Sequence, residues 1–320
     1  MSRVITFGLH IADVLGRYVT DIPPGQGLDV IEEIRITVAG TAAATAVDLA
    51  KLGVDVATVG AVGCDALGAY IRQAMADAGV NTQALKTVND VQTSATILPI
   101  RPDGSRPALH VVGANSRLKV EDLPEAELAD LQVFHLGGLG LMDGVDGEPA
   151  AGLLRRMREL GVTTTADCLP TGHDSGYDAL LPVLPYVDYF FPSYEDALMI
   201  AGSVTRQDAI DYFLDQGIGT LVITMGGEGV SISRRGSSEI RLPAYEVDVV
   251  DTTGCGDAFS AGFIVGLLDG LSPTEASEFG LATGSMVAIG LGSDAGIVDR
   301  ASVEEFRAKT PRKSLRVGCP

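Results

Sequence analysis

Short β-branched runs separated by longer helical patterns recur along this chain, and no other feature limits its fold as strongly. Val4–Phe7, Val56–Val59, Val133–Leu136, Thr163–Ala166, Tyr186–Phe190 and Leu221–Thr224 read as buried strands. Between them, helical patterns run over Thr41–Lys51, Leu67–Ala78, Pro149–Leu160 and Glu195–Ala201. Apolar strands alternating with helices predict an α/β fold, a mostly parallel central sheet flanked by helices on both faces. Past Leu242 the chain becomes mainly helical, over Gly256–Leu268, Thr274–Ile289 and Ser302–Lys309. The basic tail Pro311–Pro320 carries a proline at each end and is expected to be loose.

Two regions break the alternation. Arg17–Thr20 with Glu33–Val38, and Ser94–Ile100 with Pro107–Val112, read as hairpin strands, the second pair joined by the turn signal Arg101-Pro102-Asp103-Gly104. No helices accompany them, so one face must bury itself on something else. The expectation is a small β-sheet lid drawn from about 13–38 and 93–113 of a single 1–320 domain, packed on a ligand, a partner subunit or both.

Charge narrows the partners. A net charge of −19 and a pI near 4.5 leave no basic surface for nucleic acid or an anionic membrane. A small phosphate compound would have to rest largely on backbone N–H groups. Cys64, Cys168, Cys255 and Cys319 are widely spaced with no CxxC pair, and read as the reduced thiols of a cytoplasmic protein. The start, MSRVITFGLH, shows no signal segment, and no uncharged apolar run approaches the ~18 residues that span a bilayer. There is no Gly-Lys dipeptide and hence no Walker A loop; GxGxxG, HExxH and GxSxG are also missing.

The stretch DTTGCGDAFSAGF, Asp251 to Phe263, supplies another phosphate device. Its glycines feed an apolar helix whose first N–H groups attract anions, yet Asp257 places a carboxylate at that same turn. The conflict disappears if a phosphoryl group lies over the N–H groups of Gly254, Cys255 and Gly256 while Asp257 faces the attacking hydroxyl as its base. The alternative is that Asp257 merely caps a buried helix.

Val249–Phe263 resembles the second signature of the PfkB carbohydrate kinases, the ribokinase-like kinases. Gly8–Asp13 resembles the family's first strand with its substrate aspartate, and Ala39–Gly53 with Val59–Gly68 its first signature. Pro192–Gly202 resembles the PNxxE region, and Thr224–Gly229 the nucleotide loop. The resemblance implies a ribokinase-like fold, transfer of the γ-phosphoryl of ATP to a sugar hydroxyl with Mg2+, K+ in some members, and a homodimer through the lid. It further implies that Asp257 is the catalytic base beside an anion hole of Gly254, Cys255 and Gly256. Substrate contacts would come from Asp13, Gly40, Thr41, Ala44 and Asn115, and nucleotide contacts from Ser193, Thr224, Gly226, Gly229 and Leu281. Asp251 and the Thr253 carbonyl match a monovalent-cation site, with loop capping as the alternative. Glu195 and Asp196 would orient magnesium through water or act as solvated first-turn charges.

Departures from the family pattern bear on the acceptor. Ala39-Gly40 replaces Gly-Gly, Ala44 replaces the frequent substrate-binding Asn, Ser193 replaces the Asn before the helix, and Leu281 stands where a polar residue often meets adenine. A nucleoside kinase, a sugar-phosphate kinase drawing on Arg17, Arg101, Arg106 or Arg117, and a noncatalytic sugar or nucleotide sensor are the alternatives. His10, His110, His135 and His173 have no metal-ligand spacing and read as structural, although His10 and His110 fall near the lid. Cys255 reads as a small residue rather than a redox control. Gly256 is expected to hold a conformation that only glycine adopts freely.

Overall fold

Every residue of Val4–Gly8 is buried, and a strand buried on both faces must lie inside a sheet that is covered twice. The computed structural model, which describes residues 3–102, 105–169 and 175–315, shows that arrangement. In chain order the strands are β1 (Val4–Gly8), β2 (Ile11–Arg17), β3 (Glu33–Ala39), β4 (Val56–Gly63), β5 (Leu85–Val88), β6 (Ala95–Ile100) and β7 (Leu109–Val111). They continue with β8 (Val133–Leu139), β9 (Thr163–Cys168), β10 (Tyr189–Phe190), β11 (Thr220–Thr224), β12 (Val230–Ser233) and β13 (Ile240–Leu242). The helices are α1 (Thr41–Lys51), α2 (Ala66–Asp77), α3 (Glu148–Glu159), α4 (Ser175–Asp178) and α5 (Tyr194–Ala201), then α6 (Arg206–Asp215), α7 (Cys255–Leu268), α8 (Pro273–Ala288) and α9 (Arg300–Lys309).

Nine strands form the large sheet in the order β13-β12-β11-β10-β9-β8-β1-β4-β5. From β5 to β11 the pairing is parallel; β12 and β13 add an antiparallel edge. Successive residues of β1 feed opposite layers. Val4 joins Phe259, Phe263 and Phe279 under α1, α2, α7, α8 and α9, whereas Ile5 and Phe7 join Phe134, Phe190 and Phe213 under α3, α5 and α6. The chain leaves β1 toward β4 on one side and β8 on the other, so the order reverses there and opens a crevice at the carboxyl ends of the strands.

Over that crevice lies the second sheet, four strands in the order β3-β2-β6-β7. The predicted hairpins need correction. The first lid strand is Ile11–Arg17, not Arg17–Thr20, and β2 joins β6 in parallel, with Ala12 opposite Ala95 and Arg17 opposite Ile100. Asp13 in mid-strand hides the alternation of Ile11, Asp13 and Leu15, which all face inward. Leu15, Leu98 and Ile100 pack on Leu291 of the body, and Arg35 donates to the Leu291 carbonyl at 2.5 Å and to Asp294 at 3.0 Å.

Other corrections are smaller. Tyr186–Phe190 shortens to β10 because Leu184–Tyr186, with Pro185 lacking an N–H, forms a 3-10 turn. Helix α6 and strands β5, β12 and β13 add to the predicted elements. The tail expected to be loose is tied down as far as it is described: Lys313 N–H donates to Ala244, Glu246 N–H donates to Pro311, and Arg312 lies 4.7 Å from the Tyr245 ring centroid. Asp103, Gly104, His173, Cys319 and the rest of the tail lie outside the described residues. Among the described residues no helix is long and apolar enough to cross a membrane.

Candidate active site

Two glycine-started helices converge beneath the lid. Gly40 opens α1 and Gly254 opens α7, and neither has a side-chain cap, whereas α2, α5, α6, α8 and α9 are capped by Asp65, Ser193, Thr205, Ser272 and Asp299. Gly254 has φ +78°, and a Cβ there would overlap the Cα of Ser293, so both its conformation and its packing demand glycine. The Thr45 hydroxyl donates to the Asp257 carbonyl at 3.3 Å, which ties α1 to the first turn of α7.

Between these helix starts, the lid and the strand ends lies a cavity of about 470 Å³. Of the residues singled out in the sequence, Asp13, Gly40, Thr41, Ser193, Asp196 and Thr224 line it, together with Thr253, Gly254, Gly256 and Asp257. The N–H groups of Gly254, Gly256 and Asp257 have no acceptor among the described residues, while Cys255 N–H turns to the Thr252 carbonyl at 3.4 Å. Of the expected set, Gly254 and Gly256 thus keep open donors, joined by Asp257, and Cys255 N–H is turned toward the loop.

Asp257 is half-buried, and its pKa is raised to about 7, first by burial and then by Asp167 and Asp13, with Arg106 opposing. Asp13, on the inner face of β2, is raised to about 6, again chiefly by burial, while Thr96 and Arg106 pull it down. The Thr41 hydroxyl is buried, faces the cavity and has no hydrogen-bond partner. Such a donor or acceptor is unfavourable unless something completes it.

Several expected contacts fall elsewhere. Asn115 accepts from His10 N–H and donates to the His10 carbonyl, both at 3.1 Å, so it clamps the turn between β1 and β2 outside the cavity lining. Ala44 is buried on α1, and Leu281 is buried on α8 in the layer it shares with α7. Glu195 is exposed outside the lining, whereas Asp196 is half-buried within it and raised by burial, with Glu195 and Asp167 adding to the effect. Asp251 accepts from Thr253 N–H at 3.0 Å, the Thr253 hydroxyl at 2.8 Å and Gly292 N–H at 3.0 Å, which is the loop-capping arrangement. A Cβ on Gly229 would collide with the Leu242 carbonyl, so hairpin geometry accounts for that glycine; Gly226 has open space around it. Gly256 does not have the conformation expected of it: it is helical, without positive φ, and faces open space.

The histidines divide. His10 is buried, its Nδ1 3.0 Å from the Gly8 carbonyl and its Nε2 2.9 Å from Thr58, and burial lowers its pKa to about 4. His110 does line the cavity, its Nδ1 3.0 Å from the Thr96 hydroxyl. Burial raises the Cys255 thiol to about 12, which keeps it protonated and unreactive.

Three residues were not singled out for the roles their positions give them. Asp167, one residue before the end of β9, lines the cavity, accepts from Gly138 N–H at 2.6 Å and lies 3.4 Å from His135 Nε2. A carboxylate at the carboxyl end of a buried strand was the signal for it. Arg106 enters the lining from the lid. Lys313, in the tail, donates to the Gly227 carbonyl, in the turn between β11 and β12, at 3.2 Å.

An open α/β sheet with uncapped helix starts, a raised carboxylate and a β-sheet cover is the arrangement of a small-molecule phosphotransferase. The comparisons give the family. The chain matches the pfkB family carbohydrate kinase description over residues 1–299 and belongs to that family. It is 30% identical over 290 residues to a ribokinase of Haemophilus influenzae, covering 88% of this chain and 91% of the relative. It is 29% identical over 288 residues to an ATP-dependent ribose-1-phosphate kinase of Halopiger xanaduensis, covering 90% and 92%. Its fold is ribokinase-like: a putative ribokinase II from E. coli, solved in complex with ATP and Mg2+, superposes with a TM-score of 0.82 over 97% of this chain and 100% of that one, at 20% identity.

Proposed function

We propose that this carbohydrate kinase transfers the γ-phosphoryl group of ATP to a hydroxyl of a small uncharged sugar, with Asp257 as the base. The observation that carries this reading is Asp257 itself, a carboxylate raised to about 7 in the helix turn whose Gly254, Gly256 and Asp257 N–H groups lack acceptors. Near that pKa a carboxylate both accepts a hydroxyl proton and releases it readily at neutral pH. The N–H groups, aided by the helix dipole, would stabilise the oxygens of the transferring group. Asp13 and the partnerless Thr41 hydroxyl would orient the acceptor, and Ser193, Thr224 and Gly226 would border the nucleotide.

The relatives include kinases of both a free sugar and a sugar phosphate, so the cavity must favour one. Four carboxylates, Asp13, Asp167, Asp196 and Asp257, line it, and of Arg17, Arg101, Arg106 and Arg117 only Arg106 does. A second phosphate on the acceptor would meet carboxylates where it needs cations. Among the described residues no group of three or more His, Cys, Asp or Glu side chains is placed to hold a metal ion. Asp196 and Asp167, which line the cavity, would hold Mg2+ through water. Bound there with ATP, magnesium would offset the negative charge of the phosphate groups. We assign Asp251 to closing its loop rather than to holding a monovalent cation.

We also propose a homodimer through the lid. Its outer face carries Ile34, Ile36, Ile97, Leu109 and Val111, and Ile34 is 70% and Leu109 66% exposed. An apolar sheet face of that kind is normally covered. Light scattering should give a dimer mass, and Ile97→Glu should give a monomer; a wild-type monomer at micromolar concentration contradicts this.

A coupled ADP assay across free sugars, nucleosides and sugar phosphates tests the acceptor. Turnover should be confined to uncharged acceptors. Turnover confined to sugar phosphates overturns the acceptor assignment, and none with any acceptor overturns the kinase reading.

A further inference from the structure

The lid supplies the only cation that lines the cavity among the described residues. Arg106, in the segment before β7, stands there with four carboxylates, Asp13, Asp167, Asp196 and Asp257. Its Nε donates to the Thr252 hydroxyl at 3.1 Å and lies 3.9 Å from Asp251 Oδ1. Thr252 comes two residues before Gly254, so the guanidinium is held against the loop that opens α7. Its two Nη groups have no acceptor among the described residues. Other arginines near the lid are engaged away from the cavity: Arg17 with Tyr18 and Glu32, Arg35 with Leu291 and Asp294, and Arg117 with Asp90.

We propose that Arg106 is a catalytic residue, delivered by the closed lid to the γ-phosphoryl group, whose oxygens its free Nη groups bind opposite the N–H groups of Gly254, Gly256 and Asp257. This rests on the kinase reading and adds the cation that the acidic cavity otherwise lacks. In the transfer the acceptor O–H bond breaks and its proton passes to the Asp257 carboxylate. The acceptor oxygen bonds to the γ-phosphorus, the bond from that phosphorus to the β,γ-bridging oxygen breaks, and its electron pair leaves with ADP. Arg106 gives and takes no proton, because guanidinium stays charged throughout. Its planar fork suits two phosphate oxygens, and an arginine supplied in cis is a known means of stabilising this transition state.

Position on the lid gives the charge a second use. An open lid withdraws the cation, so a water molecule in the open cavity meets a phosphoryl group without its full stabilisation, and hydrolysis is suppressed until an acceptor closes the lid. The same guanidinium favours the ionised form of Asp257, the form that accepts a proton. A simple latch, in which Arg106 only pins the lid to Thr252, has different consequences. It would alter acceptor affinity and would not distinguish a triphosphate from a diphosphate.

The test uses the full chain with Arg106→Gln and Arg106→Lys. Calorimetry with Mg2+ compares ADP against the non-hydrolysable β,γ-imido triphosphate, alongside steady-state kinetics and a pH profile. Arg106→Gln should weaken triphosphate binding about tenfold, leave ADP within about twofold and lower kcat by about 10²–10³-fold, with Arg106→Lys in between. The acid limb of its kcat profile should move to higher pH, since Asp257 loses a stabilising cation. Equal effects on ADP and the triphosphate, or a raised acceptor KM with kcat unchanged, would overturn the proposal. If the wild type phosphorylates no acceptor, the kinase reading fails, and the ADP against triphosphate comparison still decides Arg106.

Discussion

Gly254 and Gly256 stand two residues apart in one loop, and alanine should act on them in opposite ways. At Gly254 the backbone has φ +78°, where an L side chain costs roughly 1–2 kcal/mol. The added methyl would also overlap the Ser293 Cα, a backbone atom that moves only with its loop, so overpacking adds on the order of 1–3 kcal/mol. Gly254→Ala should therefore destabilise the protein by about 2–5 kcal/mol. Gly256 lies inside the first turn of α7, where an added methyl would meet nothing within 4 Å, so Gly256→Ala should gain about 0.5 kcal/mol from helix propensity. The open space beside it is where the phosphoryl group is placed, so activity should fall by at least about tenfold. Urea denaturation and coupled-ADP kinetics on both variants read these effects. A Gly256→Ala protein with full activity would refute the placement of the phosphate, and a Gly254→Ala protein as stable as wild type would refute the packing argument.

Thr41→Val removes a buried hydroxyl that has no partner, so stability should hold or rise while the acceptor KM increases about 5–10-fold; an unchanged KM would show that Thr41 does not touch the acceptor. Asn115→Ala should do the reverse, lowering stability by about 2–3 kcal/mol by leaving both His10 backbone groups unpaired in the interior, with KM unchanged in the fraction that remains folded. Asp257 has a raised folded pKa, so the protein loses stability as pH rises from about 4 toward 7 and the buried carboxyl ionises. Asp257→Asn should consequently raise the melting temperature at pH 8 and leave it nearly unchanged below about pH 3, where the carboxyl is protonated in both states.

The parallel sheet and its helices were legible because strands buried on both faces leave unbroken apolar runs, as at Val4–Gly8, and because Thr41–Lys51 begins and ends as its pattern implies. The first lid strand was not, since one face of β2 serves a cavity and carries Asp13 where a core strand would carry an apolar residue. The loop proposed to be catalytic was readable as a local conflict between an anion-seeking helix start and a carboxylate. The places of Arg106 and Asp167 in the cavity were harder, because they depend on β9 and the lid meeting over residues far away in sequence. Asn115 shows the converse: a polar residue near the lid whose side chain is wholly occupied by the backbone of His10. Cys255 and Gly256 show that a glycine-rich loop marks a helix start without revealing which N–H groups are free or which glycine has positive φ.

The most direct test of the central claim is the turnover of Asp257→Asn with the acceptor chosen by the substrate screen, measured across pH beside its nucleotide affinity. Wild-type kcat should rise through a pKa of about 7, the value of the base. The variant should lose about 10²-fold or more in kcat, lose that pH dependence, and bind ATP as tightly as wild type. Near wild-type turnover, or an unchanged titration, would contradict the assignment of Asp257 as the base.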